Sequence, residues 1–104
     1  MKIYVRTLVA TSTDGRTIIL EELDASPVDG LDGVAIANTS KTYRKGFCAY
    51  DIATGLYIDW AITKKVLITK LKEKELRIKL ARKTQLYQKR IKEFEEMKKI
   101  CLKV

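Results

Sequence analysis

The chain has 104 residues, of which 46% are hydrophobic and 33% charged, a composition typical of one folded domain rather than a disordered chain. It contains no histidine, which removes the commonest metal ligand and general base, and no run approaches the roughly 20 apolar residues that span a bilayer. The net charge of +8 instead points toward an anionic partner.

The N-terminal segment predicts a β-hairpin. Residues 2–11 (KIYVRTLVAT) and 16–23 (RTIILEEL) are rich in β-branched and aromatic side chains, and they flank Asp14-Gly15. An Asp-Gly pair tolerates the positive φ angles of a tight turn. Residues 24–33 (DASPVDGLDG) hold the only proline and two glycines, and therefore predict an irregular loop.

A second hairpin is predicted further along the chain. Residues 34–37 (VAIA) predict a short third strand, and the polar residues 38–46 an exposed connection. Residues 47–53 and 56–62 then flank Thr54-Gly55 as two strands. The head, residues 1–62, is thus expected to be an antiparallel sheet of four to five strands, one face of which needs a cover.

Residues 63–103 predict one long α-helix. Thr63 is a plausible N-cap, and after it neither glycine nor proline occurs as far as Val104. Strong helix formers dominate the segment. The predicted fold class is therefore α+β: a single domain in which the β-rich head is followed by a continuous basic helix.

The apolar residues of this helix fall on two stripes. Leu67, Leu71 and Ile78 share one direction and are expected to cover the sheet. The second stripe resembles a short heptad seam and predicts a homo-oligomer: Leu76, Leu80, Tyr87, Ile91, Phe94 and Cys101. The alternative is a break near Thr84-Gln85, after which the chain folds back as an intramolecular helical hairpin.

Charge is distributed unevenly along the chain. Residues 1–62 carry six basic and eight acidic side chains, a net charge of −2, whereas residues 63–104 carry fifteen basic and five acidic ones, a net charge of +10. The excess predicts contact with a polyanion through the basic residues Lys72, Arg77, Lys79, Arg82, Lys83, Lys89, Arg90 and Lys92 of the helix and Arg44 and Lys45 of the head. Tyr43 is a candidate for stacking on a base, and Phe47 is expected in the core. The competing interpretation is a basic face that only keeps an exposed helix soluble.

Catalytic motifs are missing from the sequence. It has no CxxC pair, phosphate-binding glycine loop, GxSxG or GxGxxG, so we expect no enzyme, cofactor or metal. A nuclease built from Asp51, Asp59 and Lys45 is the weakest alternative. Cys48 and Cys101 are expected as buried or partly buried thiols in a cytoplasmic protein without membrane anchor or signal peptide, a bridge between them being the lesser alternative.

The leading functional hypothesis is a small non-enzymatic protein that oligomerises through its C-terminal helix and contacts nucleic acid. The alternative is an interaction protein of the mobile-element or anti-defence type, which sequesters an anionic nucleotide or blocks a protein partner. A purely structural assembly protein is a third interpretation.

Overall fold

The computed structural model describes residues 1–9, 17–39 and 45–101. Five strands precede three helices in chain order, which confirms the predicted α+β class. The elements are β1 (Lys2–Val9), β2 (Thr17–Val28), β3 (Leu31–Asn38), β4 (Phe47–Asp51), β5 (Tyr57–Ala61), α1 (Lys64–Glu73), α2 (Glu75–Ala81) and α3 (Gln85–Cys101).

The strands form one antiparallel sheet in the order β1-β2-β3-β4-β5, so every strand pairs with its neighbours in sequence. Both predicted hairpins are confirmed by the register, which pairs Lys2 with Asp24 in the first and Phe47 with Ala61 in the second. The Asp14-Gly15 turn lies outside the described residues. At the other turn Gly55 has a φ of 68°, the left-handed conformation that glycine adopts most readily.

The loop predicted at residues 24–33 is wrong. β2 continues to Val28, β3 begins at Leu31, and only Asp29 and Gly30 lie between the two strands. Gly30, with a φ of 81°, makes this tight turn possible. Pro27 remains within β2 because the register shifts directly after it, and such an irregularity accommodates a residue that cannot donate a hydrogen bond.

The predicted cover over the sheet is α1. Leu67 and Leu71 are completely buried and pack with apolar residues of the sheet: Val28, Leu31, Val34, Ile36, Ala49 and Ala61. The opposite face holds a second apolar cluster that includes Val5, Cys48 and Tyr50. The sheet curls around this cluster, since the Arg6 amide of β1 donates to the Gly55 carbonyl at 2.9 Å.

The single long helix predicted for residues 63–103 is wrong. The predicted N-cap is confirmed, because the Thr63 hydroxyl accepts from the Val66 amide at 3.3 Å. Lys74 then interrupts the helix with φ −94° and ψ 1°, and a turn over residues 82–84 separates α2 from α3. Thr84 links the two helices: its hydroxyl donates to the Ala81 carbonyl of α2 at 2.7 Å and accepts from the Tyr87 amide of α3 at 3.2 Å.

The second break lies where the alternative prediction put it, but the returning helix has a different partner. α3 packs against β2 rather than forming a helical hairpin with α2. Phe94 of α3 is 2% exposed and lies so close to Gly55 that a Cβ atom there would be 2.5 Å from its ring. The second apolar stripe therefore serves, in part, to hold α3 on the head.

The predicted oligomer seam does not form one continuous stripe. Tyr87 and Ile91 are half-buried and Phe94 is buried within the same chain, whereas Leu76 and Leu80 on α2 are exposed. The side chain of Cys101 lies outside the described part. A continuous seam requires one uninterrupted helix from Leu76 to Cys101, and the turn over residues 82–84 separates Leu76 and Leu80 from the members on α3.

Candidate polyanion-binding surface

Several cations of the helices are held by carboxylates of the head. Asp59, the middle residue of β5, forms ion pairs with Lys70 at 3.5 Å and Lys74 at 2.8 Å. Burial opposes ionisation of Asp59, but the hydrogen bonds from Lys74 and from the Trp60 amide and the charge of Lys70 together hold its pKa below the ordinary value. These two lysines fasten α1 to the sheet.

Asp51, which is only 6% exposed, makes a second set of contacts between the head and the helices, which we call the Asp51 junction. Its carboxylate accepts from the Thr54 hydroxyl at 2.8 Å, from Arg82 Nη2 at 3.1 Å and from the Tyr87 hydroxyl at 2.9 Å. Burial, followed by the hydrogen bond to Asp51, raises the pKa of Tyr87 to about 12. One carboxylate thus connects the β4–β5 turn to the residues on both sides of the second helix break.

Arg82, predicted to bind a polyanion, uses both terminal nitrogens of its guanidinium within the chain. Besides its bond to Asp51, its Nη1 donates to the Asp32 carbonyl at 2.6 Å. The guanidinium lies directly against Gly33, where a Cβ atom would be 3.0 Å from Nη2. Arg82 is therefore a structural residue that docks the end of α2 on the head.

Arg90 is likewise directed toward its own chain. Its side chain donates to Glu93 at 2.9 Å, and its carbonyl accepts from Arg6 Nη2 at 2.7 Å. Arg6 also donates to the Thr54 carbonyl and lies over the Phe94 ring, so it joins β1, the β4–β5 turn and α3. The hydrogen bond from Arg90 lowers the pKa of Glu93.

The remaining basic residues of α1 and α2 form a cationic edge, which we define as Lys65, Lys72, Lys79 and Lys83. Lys65 and Lys72 lie two helical turns apart on α1, Lys79 lies on α2, and Lys83 lies in the turn that follows α2. All four are exposed, and Lys65, Lys72 and Lys83 form no ion pair within the described residues. Lys79 pairs at 3.1 Å with Glu75, an exposed contact of little energy. Arg77 is also exposed but lies on the other flank of α2.

The outer surface of α3 is less basic than the cationic edge. Lys89 and Lys92 are exposed there, together with Lys99, but Glu95 and Glu96 are exposed between them. Residues 64–84 carry nine basic and two acidic side chains, whereas residues 85–101 carry five and three. Of the eight helical residues predicted to bind a polyanion, Lys72, Arg77, Lys79 and Lys83 are exposed in the more basic segment, whereas Arg82 is bound within the chain.

Of the binding residues predicted in the head, only Lys45 lies in the described part of the chain. Lys45 is exposed, and its carbonyl accepts from the Trp60 indole at 3.0 Å. Tyr43 and Arg44 lie outside the described residues. Phe47, expected in the core, is half-buried against the cluster beneath α1.

A small cleft opens beside the Asp51 junction. Its volume is about 140 Å³, the size of a benzene-binding cavity, and its walls are mostly apolar: Leu56, Tyr57, Ile58, Ile78 and Ala81. The polar groups at one side, Asp51, Arg82 and Tyr87, already bond one another. The cleft therefore offers no unpaired cation to a nucleotide phosphate.

The sequence did not predict the contacts that Asp51 and Asp59 make with the helices. The sequence offers both aspartates only as weak nuclease candidates, whereas in the structure each forms ion pairs with basic side chains of the helices or the turn between them. Among the described residues, no three His, Cys, Asp or Glu side chains cluster closely enough to hold a metal ion. The Cys48 thiol is buried and free.

Each helix of the described ranges is too short or too polar to span a lipid bilayer. Comparisons with protein families, with curated proteins and with solved structures found no match to this chain.

Proposed function

We propose that this protein binds nucleic acid, without catalysing a reaction, through the cationic edge of α1 and α2. The observation that carries the proposal is the sorting of the basic residues. Arg82, Lys70 and Lys74 are bound by carboxylates of the head, whereas the lysines of the edge are exposed on α1, α2 and the turn that follows.

The physical basis is counterion release. Each lysine that neutralises a phosphate displaces condensed cations, so the affinity falls steeply as salt rises. Lys65 and Lys83 are 18 residues apart, which corresponds to at most about 27 Å of helix. A row of this length contacts several successive phosphates and does not read base edges.

Titration of fluorescently labelled duplex DNA and single-stranded RNA at two salt concentrations tests the proposal. With four lysines on four phosphates, the affinity for duplex should fall roughly a hundredfold between 50 and 200 mM salt. Absence of binding at the lower concentration would end the proposal. Saturable binding of a mononucleotide, with little dependence on nucleic acid length, would favour nucleotide sequestration instead.

Two triple variants separate the cationic edge from overall charge. Lys65→Gln/Lys72→Gln/Lys83→Gln removes three exposed lysines of the edge, and Lys89→Gln/Lys92→Gln/Lys99→Gln removes three exposed lysines of α3. Both lower the net charge equally. The edge variant should lose most of the affinity and the α3 variant little.

A second copy of the chain is not required for this function, because one copy presents the whole edge. Oligomerisation was predicted from a seam of which Tyr87 and Phe94 are now occupied within the chain. Sedimentation equilibrium measures whether copies nevertheless associate. A monomer that binds nucleic acid as described would remove oligomerisation from the mechanism.

A further inference from the structure

An exposed stripe runs along the outer side of α1 and α2, next to the cationic edge. This outer stripe consists of Val66, Thr69, Glu73, Leu76 and Leu80, all of them exposed. The spacings of three, four, three and four residues are those of the a and d positions of a heptad repeat. Leu76 and Leu80 are 69% and 55% exposed and, with Val66, form the apolar part of this stripe.

The stripe keeps its direction across the interruption at Lys74. Leu67 and Leu71 of α1 are buried in the core beneath the helices, and Ile78 of α2 packs against the same core. Since one side of both helices faces the sheet, the opposite side faces solvent along both. The outer stripe is therefore a single surface that bends at Lys74.

Cations flank the stripe on both sides. In the same heptad frame, three lysines of the cationic edge occupy successive g positions: Lys65, Lys72 and Lys79. The e positions are Lys70, which is paired with Asp59, and Arg77, which is exposed. Every e and g position is thus basic, and these positions set partner choice in coiled coils.

This pattern disfavours a second copy as the partner. Two copies paired along the stripe would bring their basic flanks together and would bury two Glu73 side chains, both unfavourable. We propose that the outer stripe docks an acidic amphipathic helix of another protein, with apolar residues against Leu76 and Leu80 and glutamates or aspartates against the basic flanks.

The exposed carboxylate of Glu73 further restricts the kind of partner that fits the stripe. It lies in the middle of the stripe, where it would oppose insertion into an anionic membrane and repel a phosphate backbone. A lysine on the partner helix that faces Glu73 would form an ion pair with it, and this pair would fix the register of the two helices. The stripe therefore fits a protein helix better than a lipid surface or a nucleic acid.

The docking has a regulatory consequence that rests on the proposed function. The acidic flank of the partner contacts lysines of the cationic edge, so the partner and nucleic acid compete for them. An acidic helix would release bound nucleic acid without covering the rest of the molecule.

The test uses the full chain and a synthetic helical peptide of roughly three heptads, with leucine at a and d, glutamate at e and g, and one lysine facing Glu73. A peptide of the same composition in scrambled order is the control. Leu76→Ser/Leu80→Ser should weaken binding of the ordered peptide by about tenfold or more. The matched variant Leu86→Ser/Ile100→Ser alters two exposed apolar residues of α3 and should change it little.

A charge exchange tests the register. Replacing the peptide lysine by glutamate should weaken binding to the wild-type chain, and Glu73→Lys should restore it. Failure of the ordered peptide to bind, or binding that ignores the leucine substitutions, would overturn the proposal. So would a dimer, or binding to phosphatidylserine vesicles, that depends on Leu76 and Leu80.

These outcomes are distinguishable from failure of the proposed function. Leu76→Ser/Leu80→Ser leaves the cationic edge intact and should bind nucleic acid as the wild-type chain does. If the wild-type chain binds the peptide in a leucine-dependent way but no nucleic acid, the docking surface stands and the proposed function falls.

Discussion

Asp51→Asn is the substitution that most directly probes how the helices are held on the head. The carboxylate is buried and accepts from Thr54, Arg82 and Tyr87, so its charge compensates the guanidinium of Arg82. Asparagine is nearly isosteric and keeps one acceptor oxygen. The substitution therefore removes the charge and part of the hydrogen bonding while leaving the volume unchanged.

The expected loss follows from the burial of the two partners. Breaking a fully buried ion pair costs about 3–5 kcal/mol, because one charge is left without its partner. The Arg82 side chain is 25% exposed, so water compensates part of this loss. We expect Asp51→Asn to lower the free energy of unfolding by about 2–3 kcal/mol.

Urea denaturation followed by far-ultraviolet circular dichroism and by Trp60 fluorescence measures this change. Glu75→Gln is the control, since the ion pair with Lys79 is exposed and should contribute at most about 0.5 kcal/mol. A double-mutant cycle with Tyr87→Phe should give a coupling energy of about 1 kcal/mol or more. If Asp51→Asn lowered the free energy of unfolding by less than about 0.5 kcal/mol, the proposed role of Asp51 in holding the helices on the head would be contradicted.

Three further outcomes are expected from contacts around the same region. Spectrophotometric titration should show an ionisation near pH 12 that is absent in Tyr87→Phe. Because the pKa of Tyr87 is raised from 10.0, its contribution to stability should fall as pH rises from 10 to 12, and a titration curve unchanged by Tyr87→Phe near pH 12 would contradict this. Phe94→Ala should cost about 3–5 kcal/mol and increase amide hydrogen exchange in α3, whereas an exposed ring on a projecting helix would make it nearly neutral. Gly55→Ala should destabilise by at least about 1–2 kcal/mol, since φ is 68° and the new methyl group meets Phe94; an unchanged urea midpoint would contradict the close packing.

The strands were largely predictable because their signals are local. Alternating apolar residues, β-branched side chains and the Thr54-Gly55 turn are read from neighbouring positions, and the hairpins follow. Residues 24–33 were misjudged because Pro27 and the glycines usually mark a loop. Here the register shifts directly after the proline, and the two residues Asp29 and Gly30 complete the turn.

The helix breaks were harder to predict because tertiary contacts fix them. Residues 63–103 contain only helix-compatible side chains, and no glycine or proline marks either interruption. Arg82 and Tyr87 meet Asp51, which is more than 30 positions away in sequence, and this contact favours a turn over a continuous helix. Thr84 was the only local signal, since its hydroxyl can cap the helix that follows.

Composition predicted a basic surface but not which basic residues pair with carboxylates of the head and which remain exposed. The excess of positive charge belongs to residues 63–104, yet Lys70, Lys74 and Arg82 compensate aspartates of the head, which no local pattern reveals. When the three paired basic residues are set aside, the seven-residue spacing of Lys65, Lys72 and Lys79 is visible in the sequence. Lys65 was missed because it lies in the first turn, which was considered only for its role in covering the sheet.

The salt dependence of duplex DNA binding tests the central claim most directly. For the wild-type chain, the slope of log K against log salt should be about −3 to −4, as four neutralised phosphates require. The edge variant K65Q/K72Q/K83Q should reduce the slope to about −1, and the α3 variant K89Q/K92Q/K99Q should leave it unchanged. Equal slopes for the two variants would contradict the cationic edge as the binding surface.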